Sequence, residues 1–442
     1  MISQPVRESW RPTMAHIRAC IGAVALALAG VLSGRVDLVV LATPFAAVAM
    51  WALMRRPTTT PAIGSALAHR SIREGEATTW TITITPADSI DVAAAQVALD
   101  DRWQLAAPTG VVTVDGDRTQ PDESLTLGID LRSLQWGRRQ IGPALVAASS
   151  TFGAFRFGPT RPTLPELTTL PLPTIFDSSA PVPSPAGLIG LHRSRRRGDG
   201  TEFATIRPFT VGDRLRRVNW PVSLRTGALH VATTHADSDT DVLLVVDATI
   251  DAGTSGGIDG PASSLDRSVR GAGAIAAHFR RHGDGVALRA VGSTSAALVQ
   301  VGHGTPHLRR ILGQLATIEA GGHPPRQISR PAEMARLGFQ AGGLALVLSP
   351  LLSAPVLDES VGLARLGMIV LVIDTLPEPT PDHAPDPSSA LAWRIRLLER
   401  VRTLRELEHA GIPIVAWRGP GTVDQVLRDL GRRAAAPRIA RR

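Results

Sequence analysis

A chain of 442 residues exceeds one small module and, at roughly 100–200 residues per domain, predicts two or three domains. Hydrophobic residues make up 44% and charged residues 19%, which excludes disorder as a whole-chain description, and the single cysteine, Cys20, excludes a disulfide framework and multi-cysteine zinc sites. The net charge of +8 invites a nucleic-acid reading, but every basic residue is arginine in a chain rich in Ala, Gly and Pro. That is a compositional bias, so only the distribution of charge is informative.

Two apolar runs open the chain, Ala19 to Ser33 and Val36 to Met54, separated by Gly34-Arg35. Each approaches the roughly 20 residues that cross a bilayer, the first if its span begins near Met14, so residues 14–54 predict a transmembrane helical hairpin. A signal peptide competes for the first run, but a second apolar run follows at once and no small-residue cleavage site leads into a hydrophilic start. Arg7, Arg11 and Arg18 precede the pair and Arg55 and Arg56 follow it, against Arg35 in the turn. The positive-inside rule then predicts both ends, and all that follows, in the cytoplasm.

Residues 60–175 lose helical periodicity and gain short alternating runs, such as Thr79 to Thr85, Gly110 to Val114, Ser124 to Leu131, Arg139 to Ala147 and Phe152 to Phe157. Alternation with β-branched residues and turn chemistry between runs predicts an all-β sandwich of five to seven strands, without a catalytic grouping. The proline-rich stretch Pro159 to Pro185 reads as a stiff connection, with the domain boundary at 176–190.

Residues 191–235 are arginine-rich: nine arginines stand against three acids between Leu191 and Arg225, a local charge of +6. The segment reads as an extended loop, either facing anionic headgroups or an acidic partner or pairing with acids of its own fold. Without an aromatic-interleaved motif, nucleic acid is not the expected partner.

Within this segment Glu202, Phe203, Arg207, Phe209, Gly212, Asp213, Arg216, Trp220, Ser223, Arg225, Gly227 and Leu229 fall in an order that resembles the hallmark of the bacterial family called domain of unknown function 58. Trp136-Gly137-Arg138-Arg139, Gly142-Pro143 and Phe152-Gly153 resemble the end of that family's β domain. Phe209 stands where the family usually has tyrosine, and Pro221 where it has lysine.

Residues 236–432 alternate apolar strands with helices: a strand from Thr240 to Asp247, a helix from Asp266 to His282, a strand from Gly285 to Val291 and a helix from Pro306 to Ile318. Strands at 344–349 and 368–374, a helix at 388–410, a strand at 412–417 and a helix at 423–432 complete the pattern, ahead of a basic tail, 433–442. This predicts a Rossmann-like α/β domain with a parallel sheet covered on both faces and ligands at the carboxyl ends of strands, where Asp247 lies. The resemblance implies a von Willebrand factor A-like fold with a metal-ion-dependent adhesion site. Asp247, Thr249, Asp251 and Thr305 would be its ligands, and Mg²⁺ or Mn²⁺ the cation. Asp251 replaces a serine and Pro350 an expected aspartate, so the site is degenerate, and Asp247 as a plain cap of the following loop is the competing reading.

Gly271 to Ala276 satisfies a dinucleotide fingerprint but lies inside a helical pattern, which reads as small-residue packing. His278 with His282, and His303 with His307, have zinc-like spacing without an intervening glutamate or a third ligand, and read as exposed histidines. The sequence as a whole predicts a membrane-anchored cytoplasmic interaction or adaptor protein, and the resemblance implies a MoxR-type AAA+ ATPase as partner. The alternative is an enzyme or binding protein acting on cell-envelope components outside the membrane, with Asp247 and Asp251 as acid and base.

Overall fold

The structure is a computed structural model and describes residues 9–87, 89–116, 124–172, 197–210, 218–235, 241–295, 297–321, 331–339, 343–377 and 387–417. The chain divides into two compact units, the first of residues 1–170 with 256–260, the second of residues 171–255 with 261–442.

The first unit begins with strand β1 (Arg11–Pro12) and two helices, α1 (Met14–Ser33) and α2 (Val36–Met54). Both are long and apolar enough to cross a membrane, and most of their surface is not covered by protein. Thr13 caps α1, its side chain accepting from the His16 N–H, and Gly34 closes it in the left-handed conformation at φ 70°. The residues the helices bury are mostly small: Ala23 and Gly30 on α1, Ala42, Ala49 and Ala52 on α2. Small contact residues let two helix backbones approach closely where lipid offers no hydrophobic driving force.

The β region contains β2 (Ala62–Leu67), β3 (Ser71–Arg73), β4 (Ala77–Thr85), β5 (Val92–Val97), β6 (Trp103–Leu105), β7 (Val111–Asp115), β8 (Leu125–Ser133), β9 (Gly137–Gln140), β10 (Ala144–Ser150), β11 (Phe155–Thr160) and β12 (Glu166–Leu170). They form sheets in the orders β1-β11-β10-β5-β7, β2-β4-β8-β6 and β3-β12-β9. Alternation does the work: Trp80, Ile82 and Ile84 of β4 and Leu127, Ile129 and Leu131 of β8 point inward to one core, which they share with Ala93 and Ala95 of β5 and Phe155 and Phe157 of β11. The expected run 139–147 is broken into β9 and β10 at Gly142-Pro143, where Gly142 has φ 139° and Pro143 has no N–H to give a ladder. The proline-rich stretch does not begin as a connection: β12 lies within it, parallel to β3 and antiparallel to β9. The 176–190 boundary lies outside the described residues.

The second unit opens with β13 (Arg197–Pro208), helix α3 (Trp220–Thr226) and β14 (His230–His235). β13 and β14 pair antiparallel with α3 between them in the chain, so the described part of the arginine-rich segment is a strand pair and a helix rather than an extended loop. Then follow β15 (Val242–Asp247), α4 (Ser264–His282), β16 (Val286–Val291), β17 (Leu298–Gly302), α5 (Gly304–Leu315), α6 (Pro331–Leu337), β18 (Leu344–Ser349), α7 (Ala354–Arg365), β19 (Ile369–Asp374), α8 (Pro387–His409) and β20 (Ile414–Ala416). The sheet order is β17-β16-β15-β18-β19-β20, parallel except for β17 at one edge. Strands β15, β16 and β18 are buried along their whole length, as continuous apolar runs covered on both faces must be. Leu243 and Val245 pack toward Met334, Val356, Leu363 and Leu407 of α6, α7 and α8. In α4 a Cβ on Gly271 would sit 3.0 Å from Leu348 Cδ2, so the glycine-rich run is a helix–sheet contact. The expected helix 423–432 and the basic tail lie outside the described residues.

Candidate functional site

The chain leaves β15 for β16 on one side and later reaches β18 on the other, so the carboxyl ends of β15 and β18 flank the point where the connections reverse. Such a point is where doubly wound sheets hold ligands. Asp247 ends β15 there, 1% exposed. Its Oδ1 accepts from the Thr249 N–H at 3.0 Å and the Thr249 hydroxyl at 2.5 Å, and its Oδ2 from the Ser349 hydroxyl at 2.6 Å. Thr249 Oγ1 also lies 2.7 Å from Ser353 Oγ. Ser349 in turn accepts from the Leu351 N–H at 2.8 Å. Leu351 is fully buried at φ 58°, a left-handed conformation unfavourable for a non-glycine residue, and it turns the chain out of β18. Burial pushes the Asp247 carboxyl above the usual aspartate value, against the opposing pull of the Ser349 and Thr249 hydrogen bonds.

The neighbouring acids are engaged elsewhere. Asp251 Oδ1 accepts from the Leu265 N–H at 3.0 Å and the Ser264 hydroxyl at 3.2 Å, and so serves the first turn of α4. Ser263 and Asp266 close the same turn as a reciprocal capping box. Partial burial pushes the Asp251 carboxyl up as well. Asp374, at the end of β19, is ion-paired with Arg400 of α8, whose Nε donates to the Pro350 carbonyl at 2.9 Å. The guanidinium thus meets the backbone of the residue that stands where the adhesion-site pattern has aspartate.

Thr305 is not part of this constellation. Gly302, three residues before it, pairs with Val286 at the start of β16, whereas Asp247 pairs with Val291 at its end, roughly 17 Å along the strand. The Thr305 hydroxyl instead accepts from Arg280 at 3.1 Å. The four sequence-predicted ligands therefore do not converge: Asp247 and Thr249 meet, Asp251 turns to α4, and Thr305 is at the other end of the sheet. What remains for a divalent cation is one carboxylate, both of whose oxygens accept hydroxyl protons. Among the described residues no group of three or more His, Cys, Asp or Glu could hold a metal ion. The residues present do not fit Mg²⁺ or Mn²⁺, which call for several oxygen ligands with matching charge.

Nor are the histidines exposed as a group. His278 and His307 are buried. His307 Nε2 lies 2.7 Å from the Val286 carbonyl, and His303 Nδ1 lies 3.2 Å from the Gly283 carbonyl.

The motif residues divide between framework and display. Gly212, Asp213 and Arg216 lie outside the described residues, and Glu202 and Phe203 are placed on β13. Arg207 donates to Thr210 Oγ1 at 2.9 Å. Asn219 caps α3 through the Val222 N–H, and Gly227 ends it at φ 70°. Ser223 is buried, donating to the Asn219 carbonyl at 2.8 Å and accepting the His230 N–H at 2.9 Å, which fastens α3 to β14. With the inner side so fixed, Trp220 is 60% exposed and Leu224, one turn on, 81% exposed. Arg225 stands in the last turn beside them.

Sequence reasoning did not include Ser353, Leu351, Asp374 and Arg400. Ser353 carried a local signal, since Ser-Ala-Pro marks a helix start with proline in its first turn. It makes no capping hydrogen bond in the structure. Its hydroxyl meets Thr249 instead.

A comparison with curated proteins finds no match. Among solved structures, the chain is similar to the second type II cohesin module from the cellulosomal adaptor ScaA scaffoldin of Acetivibrio cellulolyticus, at 10% identity and a TM-score of 0.20, over 26% of this chain and 100% of that one. Residues 205–385, from within β13 to beyond β19, match the family described as "Protein of unknown function DUF58".

Proposed function

We propose that this is a membrane-anchored interaction protein, held by α1 and α2 with its folded units in the cytoplasm. Its second unit is read as a von Willebrand factor A-like domain that binds without a metal, and its partner as a MoxR-type AAA+ ATPase. The sheet order with one antiparallel edge strand supports the domain reading. The observation that carries the interaction reading is the outer face of α3, where Trp220 and Leu224 stand exposed on a helix whose inner side is locked by Ser223. Exposed tryptophan flanked by arginine is the composition of binding hot spots, and a pre-ordered helix loses little entropy when it docks. An acidic partner with an apolar recess complements it, since the surrounding segment carries nine arginines against three acids.

Acid–base catalysis by Asp247 and Asp251 has weaker support. Asp247 is sealed from solvent with both oxygens hydrogen-bonded, and Asp251 is committed to α4.

The test is binding of a purified MoxR-type ATPase to the full chain in detergent or nanodiscs. Trp220→Ala is expected to weaken binding about tenfold or more, on the scale of a hot-spot truncation, while leaving thermal stability in place. Equal binding by wild type and variant would remove α3 as the docking element, and no binding by wild type would remove the ATPase as partner.

A further inference from the structure

We propose that the loop Thr151–Gly153 of the first unit is a third membrane contact, with the Phe152 ring lying in the headgroup–acyl boundary of the bilayer that α1 and α2 cross. This rests on the membrane-anchor reading above. The hairpin is not joined to the sheets by a loose tether. β1 adds to the edge of β11, with Arg11 opposite Arg156 and Pro12 opposite Phe155. Thr13, the cap of α1, gives its N–H to the Ala154 carbonyl at 2.9 Å and its hydroxyl to the Gly153 carbonyl at 2.8 Å. The His16 ring, one turn into α1, lies 5.4 Å from the Phe155 ring, and Trp10 donates to the Thr59 carbonyl at 2.9 Å. These contacts hold residues 151–154 level with the first turn of α1.

The same loop meets the end of α2. Thr151 Oγ1 donates to the Arg55 carbonyl at 3.3 Å, and the Phe152 ring centroid lies 5.3 Å from that of Trp51 in the last turn of α2. The Arg55 guanidinium carbon is 5.8 Å from the Trp51 ring. An aromatic pair with an arginine beside it, where two apolar helices both end, has the composition of a membrane–water interface.

The loop is also shaped to present its ring. Thr151 and Phe152 have φ of 55° and 53°, left-handed for two successive non-glycine residues. The Phe152 N–H, donated to Asp91 Oδ2 at 2.5 Å, and the Ala154 N–H, donated to the Thr151 carbonyl at 3.1 Å, brace that conformation. The outcome is a phenylalanine 72% exposed, next to a tryptophan 42% exposed. In water both rings are costly to display, and at the interface of the bilayer already entered by α2 they are favourable.

The experiment is site-directed spin labelling of the full chain in phosphatidylcholine–phosphatidylglycerol vesicles, with Cys20→Ala as background and single labels at Phe152→Cys, Leu28→Cys in α1 and Val111→Cys in β7, the far strand of the sheet. Collision with oxygen, which partitions into lipid, is compared with collision with a water-soluble nickel chelate. The Leu28 label is expected to favour oxygen and the Val111 label nickel, with the Phe152 label on the oxygen side by several-fold over Val111. A Phe152 label that matches Val111 while Leu28 reports lipid overturns the loop contact and leaves the anchor. A Leu28 label that reports water overturns the anchor and the loop contact together. Gly153→Cys repeats the measurement with Phe152 retained: a Cβ there meets nothing within 4 Å, but φ of 78° strains any side chain, so it is compared with the Leu28 and Val111 labels at a melting temperature matched to theirs.

Discussion

Asp247 shows how a carboxylate at a ligand-binding position can be turned into a structural group. Its two oxygens receive one N–H and two hydroxyls, and burial still pushes its pKa above the ordinary value. A raised folded-state pKa means that the folded chain binds the proton more tightly than the unfolded chain. The associated cost is absent below the unfolded value near 3.8, grows as pH rises toward the folded value, and is fully present above it. Asp247→Asn removes the titrating group and keeps an acceptor, while a serine or threonine hydroxyl can turn to accept from the new amide. The expected result is a smaller fall in stability than wild type across that acid window, read as urea midpoints of the detergent-solubilised chain. Part of the slope should persist, because Asp251 is shifted in the same direction. Asp247→Ala instead strands the donors of Thr249 and Ser349 and is expected to cost about 1–3 kcal/mol. Identical pH profiles for wild type and Asp247→Asn would show that burial of this carboxylate carries no such cost. Asp247 itself was legible in the sequence as the acid that ends a continuous apolar strand. Ser349 meets it across 102 residues, and Ser353 meets its partner Thr249 across 104, a convergence set by strand order that no local spacing encodes.

At the scale of elements, legibility followed the strength of the local pattern. β4 and β8 alternate bulky inward residues with polar outward ones and were visible before the structure. β5 is largely alanine, with Ala93 and Ala95 inward, and owes its strand state to the neighbours β10 and β7 rather than to its own propensity. β12 was hidden among prolines for the same reason, since only its pairing with β3 and β9 makes it a strand. The hairpin was legible as two apolar runs, but its packing was not. A Cβ on Gly30 would meet Val39 Cγ2 at 2.7 Å and the Arg35 carbonyl and Val39 N at 3.1 Å, whereas one on Gly22 meets nothing within 4 Å. Both positions lie within α1, so the helix-propensity gain of glycine to alanine is common to them, and only packing separates their effects. Gly22→Ala is expected to be neutral or slightly stabilising, and Gly30→Ala destabilising by about 1–3 kcal/mol as the helices are forced apart. Thermal melting of the two variants in one detergent gives the comparison, and equal melting temperatures would contradict close packing at Gly30.

For the whole molecule, the arginines that give the chain its net charge of +8 bear on its orientation. Both outer ends of the hairpin bear arginines, Arg11 and Arg18 near the start of α1 and Arg55 and Arg56 after α2. The turn between the helices has Arg35, held 2.6 Å from Asp37 in an exposed ion pair. If α1 and α2 cross a membrane as proposed, four arginines against one within its reach favour both outer ends on the cytoplasmic side, since arginine near the ends of short spans sets orientation and acids contribute little. β1 and the β2–β12 region adjoin those ends directly and would share that side, the one the proposed ATPase partner requires. A reporter fused after Arg442 is therefore expected to be active only in its cytoplasmic form. Arg55→Asn with Arg56→Asn is expected to weaken that bias, and an extra arginine pair inserted at Gly34-Arg35 to weaken it further by placing positive charge at the turn. A reporter active only outside the membrane in the unmodified chain would contradict the orientation. It would also separate the α3 surface from any cytoplasmic ATPase and shift the interaction proposal toward an envelope partner.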